Sequence, residues 1–192
     1  MRATLALVAA TLSGLALSAC GGVVAGVATS VPDQVHTVTA TGTFAVPPGT
    51  AATYDATLVP IGATGIVTAE EAAASTSVTL ETHGLVPNRH YGAHAHAKPC
   101  GADGKDAGPH FQLKPDPVTP SVDPAYANST NEIWLDFMTD AQGSGRTSST
   151  VPWAFPADRH AASVVIHAMP TATDAGKAGT AGNRAGCITV AF

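Results

Sequence analysis

His36-Thr37-Val38-Thr39-Ala40-Thr41-Gly42-Thr43-Phe44-Ala45-Val46 alternates threonine with apolar residues and halts at Pro47-Pro48. Period two with β-branched side chains suits a strand with one buried face, and proline cannot continue the ladder. Working outward, residues 52–61, 76–85, 91–97, 133–139, 146–151, 163–168 and 187–192 read as further strands, each bounded by Gly, Pro, Asn or Asp. Residues 69–74 read as a helical turn, and no stretch has the 3.6-residue apolar period of a long amphipathic helix. Eight short strands with turns between them predict an all-β, antiparallel sandwich or barrel. The rhythm breaks over 98–131. No strand is expected there, and Pro99, Pro109, Pro115, Pro117, Pro120 and Pro124 stiffen a loop long enough to be functional.

Composition narrows the function. Charged residues are 12% of the chain, about half the usual share, and the formal net charge is −5. With no basic footprint and 5% aromatic residues, nucleic-acid binding is excluded. Disorder is excluded for the bulk of a chain that is 45% hydrophobic. What stands out is eight histidines beside three cysteines.

The N-terminus reads as an address. Met1-Arg2 precedes an apolar run too short to span a bilayer, which ends in Leu17-Ser18-Ala19-Cys20. That ending resembles the bacterial lipobox. The expected division is a signal peptide over 1–19, a lipidated Cys20 opening a small-residue tether over 20–34, and a domain over 35–192; an ordinary signal cut near Ala19 is the alternative. Cys100 and Cys187 are then an even pair in an oxidising compartment of the cell envelope or periplasm.

On a strand, His94-Ala95-His96 places two imidazoles on one face. The pair is either a metal site or two polar residues on an exposed surface. His110 lies in Gly108-Pro109-His110-Phe111 within the stiff loop. His167 ends Ser163-Val164-Val165-Ile166-His167, as a core histidine or a ligand at a strand end. Several imidazoles converging on one ion suit copper or zinc. His36, His83, His90 and His160 are expected at the surface or in loops.

The order of these motifs resembles the copper/zinc superoxide dismutase family over about 82–190. The stretches that carry it are Gly84-Leu85-Val86-Pro87, Tyr91 to His96, Gly108 to Phe111, Thr139-Asp140-Ala141-Gln142-Gly143, Ser163 to His167, and Gly182-Asn183-Arg184-Ala185-Gly186-Cys187. The resemblance implies an eight-stranded Greek-key β-sandwich with long active-site loops. It implies copper held by His94, His96, His110 and His167, and a disulfide between Cys100 and Cys187. It implies Arg184 beside the copper as the residue that guides superoxide, with Lys177 assisting, since a negative chain repels that anion at long range.

The zinc side of the family's site is not matched. No histidine lies between His110 and His160, and Asp116, Asp123 and Glu132 are the carboxylates before Trp134. Thr171 stands where the family carries an aspartate linking both metals, and the stretch from His167 to Arg184 is short. The resemblance is therefore to a copper-only, lipoprotein-type member, with zinc at Asp116 or Asp123 at most adventitious. Glu132 is expected either to hold the second nitrogen of His110, as zinc would, or to face solvent. The implied activity is dismutation of superoxide to dioxygen and hydrogen peroxide, with His110 carrying a proton. The alternative is a copper buffer or delivery lipoprotein on the same scaffold.

Overall fold

The computed structural model describes residues 34–192. Cys20, the signal segment and all of the tether but residue 34 lie outside these residues. Among the described residues there are nine strands: β1 (His36–Thr43), β2 (Ala51–Thr53), β3 (Thr64–Ala72), β4 (Ser75–His83), β5 (His90–His96), β6 (Phe137–Met138), β7 (Gly145–Val151), β8 (Ser163–His167) and β9 (Arg184–Thr189). They form a four-stranded sheet in the order β1-β3-β4-β7 and a five-stranded sheet in the order β2-β9-β8-β5-β6. Every ladder between these strands is antiparallel. The chain crosses from β4 to β5 in the other sheet, returns at β7 to lie beside β4, and crosses again to β8. This is a sandwich with crossing connections. Among the described residues, no helix is long and apolar enough to cross a membrane.

Three elements differ from the expectation. Residues 69–74 are not a helical turn: they close β3 and its tight connection to β4. Alanine favours helix locally, yet β3 is hydrogen-bonded on both sides, to β1 and β4, and the two ladders override that weak preference. Its burial alternates from Thr64 to Ala69, as a half-buried strand should. The strand expected over 52–61 is only Ala51–Thr53, because Asp55 turns the chain by accepting from Thr57 and capping Leu58 and Val59. The strand expected over 133–139 is regular only at Phe137–Met138, although the Ile133 carbonyl still accepts from the Ala95 N–H and the Leu135 N–H donates to the Ala93 carbonyl of β5.

Between the sheets, Phe44, Val67, Val78, Leu80, Leu85, Ile166 and Ile188 are buried, and Tyr91 stacks on Phe137 with ring centroids 5.3 Å apart. Each fully buried side chain of this size contributes about 1.5–3 kcal/mol. The long connection from β5 to β6 holds a single 3-10 turn, Gly104–Ala107, capped by Asp103 and Asp106. Arg159 pins the far part of this loop, donating to the Gln112 and Leu113 carbonyls while lying over the Phe111 ring.

Candidate metal centre

Four histidines meet on the side of the five-stranded sheet that faces away from the core. β5 supplies His94 and His96 two residues apart; the neighbouring β8 supplies His167 at its end, opposite Gly92. The long loop brings His110 against His96 through an isolated bridge. Glycine at 92 is required here, because a Cβ would lie 2.6 Å from the Met169 carbonyl oxygen that closes over the strand. One nitrogen from each of His94, His96, His110 and His167 lies within 4.8 Å of the others. This is the only such group of three or more metal-capable side chains among the described residues.

The partners of these rings fix which nitrogen points inward. His96 Nδ1 is 3.0 Å from the Gly108 carbonyl and His167 Nδ1 is 3.4 Å from the Gly182 carbonyl. A carbonyl only accepts, so both rings carry their proton on Nδ1 and turn a lone pair outward at Nε2. Those two Nε2 atoms stand 3.3 Å apart. Two lone pairs at that distance repel unless a cation lies between them. His110 Nδ1 is 2.7 Å from Glu132 Oε2, which leaves its Nε2 free as well. The Nδ1 of His94 is buried with no hydrogen-bond partner, although its Nε2 is engaged by Thr171. A buried nitrogen without a partner, beside two lone pairs 3.3 Å apart, costs free energy that a metal ion would recover. An all-imidazole set of this kind fits copper.

Electrostatics keep the rings ready for an ion. Burial, followed by the neighbouring His110, pushes His94 and His96 far below the ordinary histidine pKa, and brings His167 to about 3. Neutral imidazole is the ligating form, so a proton does not compete for these three sites near neutral pH.

Glu132 is 1% exposed rather than solvent-facing, and it accepts three hydrogen bonds of 2.7 Å: from His110 Nδ1, Trp134 Nε1 and Gln112 Nε2. Asp116 and Asp123 are spent on their own loop, Asp116 accepting from Val118 and Ser121, and Asp123 from Ala125. Cys100 and Cys187 form a disulfide that ties the loop after β5 to β9. Arg184, at the start of β9, donates to the Gly104 and Gly108 carbonyls at 2.7 and 2.6 Å, so the loop that carries His110 also seats the guanidinium. Partial burial lowers its pKa, but arginine stays charged in proteins.

His110, His167 and Arg184 open onto a cleft of about 930 Å³ that Pro115, Val118 and Pro120 also line. Lys105 lines the cleft; Lys177, expected to assist Arg184, is exposed in the loop after β8 and is not in its wall. His36, His83, His90 and His160 are exposed and outside the cluster.

Sequence reasoning did not single out Gln112, Trp134 or Asp136. A signal for part of this was present. Glu132, Trp134 and Asp136 alternate with Ile133, Leu135 and Phe137, so polar residues face the site and apolar ones the core.

The profile of the family described as copper/zinc superoxide dismutase (SODC) matches residues 63–190, most of the chain. The chain belongs to the copper/zinc superoxide dismutase family. Its fold is similar to that of the Cu/Zn superoxide dismutase from Brucella abortus, with a TM-score of 0.54 over 83% of this chain and 100% of that one. Sequence identity between the two is 17%, so this likeness speaks for the fold alone. No curated protein matches the chain in sequence.

Proposed function

We propose that this member of the superoxide dismutase family is a copper-only enzyme that disproportionates superoxide outside the cytoplasm, held at a membrane by lipid on Cys20. The observation that carries the reading is the convergence of four imidazole nitrogens, one of them a buried orphan, beside a seated arginine. His94 through Nδ1, and His96, His110 and His167 through Nε2, are the proposed ligands. Copper bound there supplies one-electron chemistry, oxidising one superoxide to dioxygen and reducing a second, with two protons, to hydrogen peroxide.

The residues of the chain do the rest. Arg184 presents a positive charge at the cleft and attracts the anion locally against the net negative charge of the chain. His110, whose side chain is 17% exposed, is the least buried of the four rings and is placed to carry a proton, with Glu132 holding its Nδ1–H. The same contact supports the zinc-free reading: the nitrogen that would bridge to zinc is engaged by a carboxylate that Trp134 and Gln112 also hold in place. The disulfide supports the extracytoplasmic placement, since thiols are kept reduced in most cytosols.

A second reading, a copper buffer or delivery protein, shares the four histidines and differs in needing no arginine at the cleft. The test is to purify the protein, quantify copper and zinc, and follow superoxide decay. One copper, no zinc and fast decay are expected. Copper without decay supports the buffer, and a protein that takes no copper overturns both readings.

A further inference from the structure

Among the described residues the chain has two methionines, Met138 and Met169, and both are exposed, at 61% and 56%. Thioethers ordinarily fill core gaps, so sulfur at the surface calls for a reason. Met138 stands on the edge strand β6, opposite the exposed His90. Met169 is placed differently. It lies in the loop after β8, two residues beyond His167, with its N–H donated to the Ala181 carbonyl and its own carbonyl accepting from Gly92, both at 2.8 Å. Its side chain runs across the turn at Gly182: a Cβ on that glycine would lie 2.8 Å from Met169 Cγ. The carbonyl of the same glycine holds His167 Nδ1 at 3.4 Å. The matching distances are 3.0 Å for His96 and 2.7 Å for His110, so His167 has the longest hold of the three. A bond of that length lies at the edge of hydrogen-bond geometry, and a small further shift dissolves it.

We propose that Met169 is a modification site which hydrogen peroxide converts to the sulfoxide, and that the added oxygen loosens His167 and lowers the affinity for copper. The step balances between its two reactants. A sulfur lone pair attacks one peroxide oxygen and the O–O bond breaks; that oxygen stays on sulfur and the other leaves as water. The thioether loses two electrons and the peroxide gains them. The new oxygen sits on the atom bonded to Cγ, where the side chain already lies against Gly182, and it is polar where the lone pair was small and soft. Ala168 and Met169 tie both flanks of the turn, through the Asn183 and Ala181 carbonyls at 2.8 Å. A push between those ties turns the Gly182 carbonyl rather than moving the loop as a whole. Gly182 also lines the cleft, so peroxide made there leaves along this wall. The inference rests on the copper reading of the four imidazoles and adds to it a loss of metal driven by the product. Met138 has no such link to a ligand, since its ladder partner His90 lies outside the cluster.

The test uses protein stripped of metal by a chelator, so that copper-driven damage to histidine plays no part. It is treated with hydrogen peroxide, cleared of the excess, and each methionine is assigned by peptide mass. Copper(II) is then titrated against a competing chelator. Both methionines are expected to gain one oxygen, and copper affinity to fall about 10-fold or more, the size of loss that follows when a partner of a ligating histidine is disturbed. Met138→Leu should lose affinity to the same degree after peroxide, whereas Met169→Leu should keep it. Methionine sulfoxide reductase should restore the affinity of the oxidised parent, a readout that needs no variant to fold. The His167 Nδ1–H signal in a proton–nitrogen NMR spectrum should shift or exchange faster on oxidation and return on repair. A Met169 that stays a thioether while Met138 is oxidised overturns the inference. So does unchanged copper affinity with Met169 fully oxidised, or an equal loss in Met169→Leu; these leave the copper reading in place. An untreated protein that takes no copper overturns both.

Discussion

Glu132→Gln is nearly isosteric and removes one charge from a side chain that is 1% exposed. The carboxylate accepts at Oε2 from His110 and Trp134 and at Oε1 from Gln112. An amide has one accepting oxygen. If it faces His110 and Trp134, its NH₂ meets the NH₂ of Gln112, and two donors confront one another. Gln112 does not escape by flipping, since its own oxygen accepts the Asp116 N–H and its nitrogen also serves Ser121. At least one buried donor is therefore left unpaired, at about 1–3 kcal/mol, and the two bonds at Oε2 lose their charge assistance. His110 is then held by a weaker acceptor and is a poorer ligand. Copper(II) affinity is expected to fall about 10–100-fold, equal to about 1.4–2.7 kcal/mol. Competition titration with a chelator measures this, and thermal unfolding of the metal-free protein measures the stability loss separately. A variant with copper affinity within a factor of two of the parent, and the same melting temperature, refutes the argument that Glu132 orients His110.

Arg184→Glu reverses the charge at the cleft; kcat/KM for superoxide is expected to fall by at least an order of magnitude, with its ionic-strength dependence altered, and equal rates at all salt concentrations would remove Arg184 from the mechanism. Replacing Cys100 and Cys187 by serine opens a loop with a sequence separation of 87, so the chain-entropy estimate is a loss of about 4–5 kcal/mol, checked by urea unfolding against the parent. The pH response of the metal-free protein has a definite sign. Burial holds His167 near 3 and His94 and His96 well below the free value, so between about 6.5 and 3 the unfolded chain binds protons that the folded one refuses. Stability is expected to be full above about pH 6.5 and to fall as pH drops through that window; a denaturation midpoint that is flat from pH 7 to 4 would contradict it.

What the sequence made legible was whatever repeats locally. The alternation in His36–Thr43 and the His94-Ala95-His96 spacing carry their own geometry, because a strand fixes where residues two apart point. The end of β3 was hidden because its ladder partners lie in two other strands: Thr64 to Thr68 carry β-branched residues, but the alanines and glutamates that follow have no strand preference of their own. In the site, the types and order of the converging histidines were visible, whereas the groups that aim their rings were not. The Gly108 and Gly182 carbonyls have no side chain to notice. Thr171 and the Asp136 that accepts its hydroxyl are 35 positions apart in the chain, so no spacing rule joins them.

The Gly108 carbonyl takes the Nδ1–H of His96 and an N–H of Arg184 together, on a residue whose φ of 72° favours glycine. On the proposed function, holding of the ion and attraction of the anion share a single mounting point. Damage to this turn would strike both at once: variants that shift the 98–108 backbone should lose metal retention and substrate capture in proportion, and sort along one line when the two are plotted. Side-chain changes at Arg184 would fall off that line, losing capture while the metal stays bound.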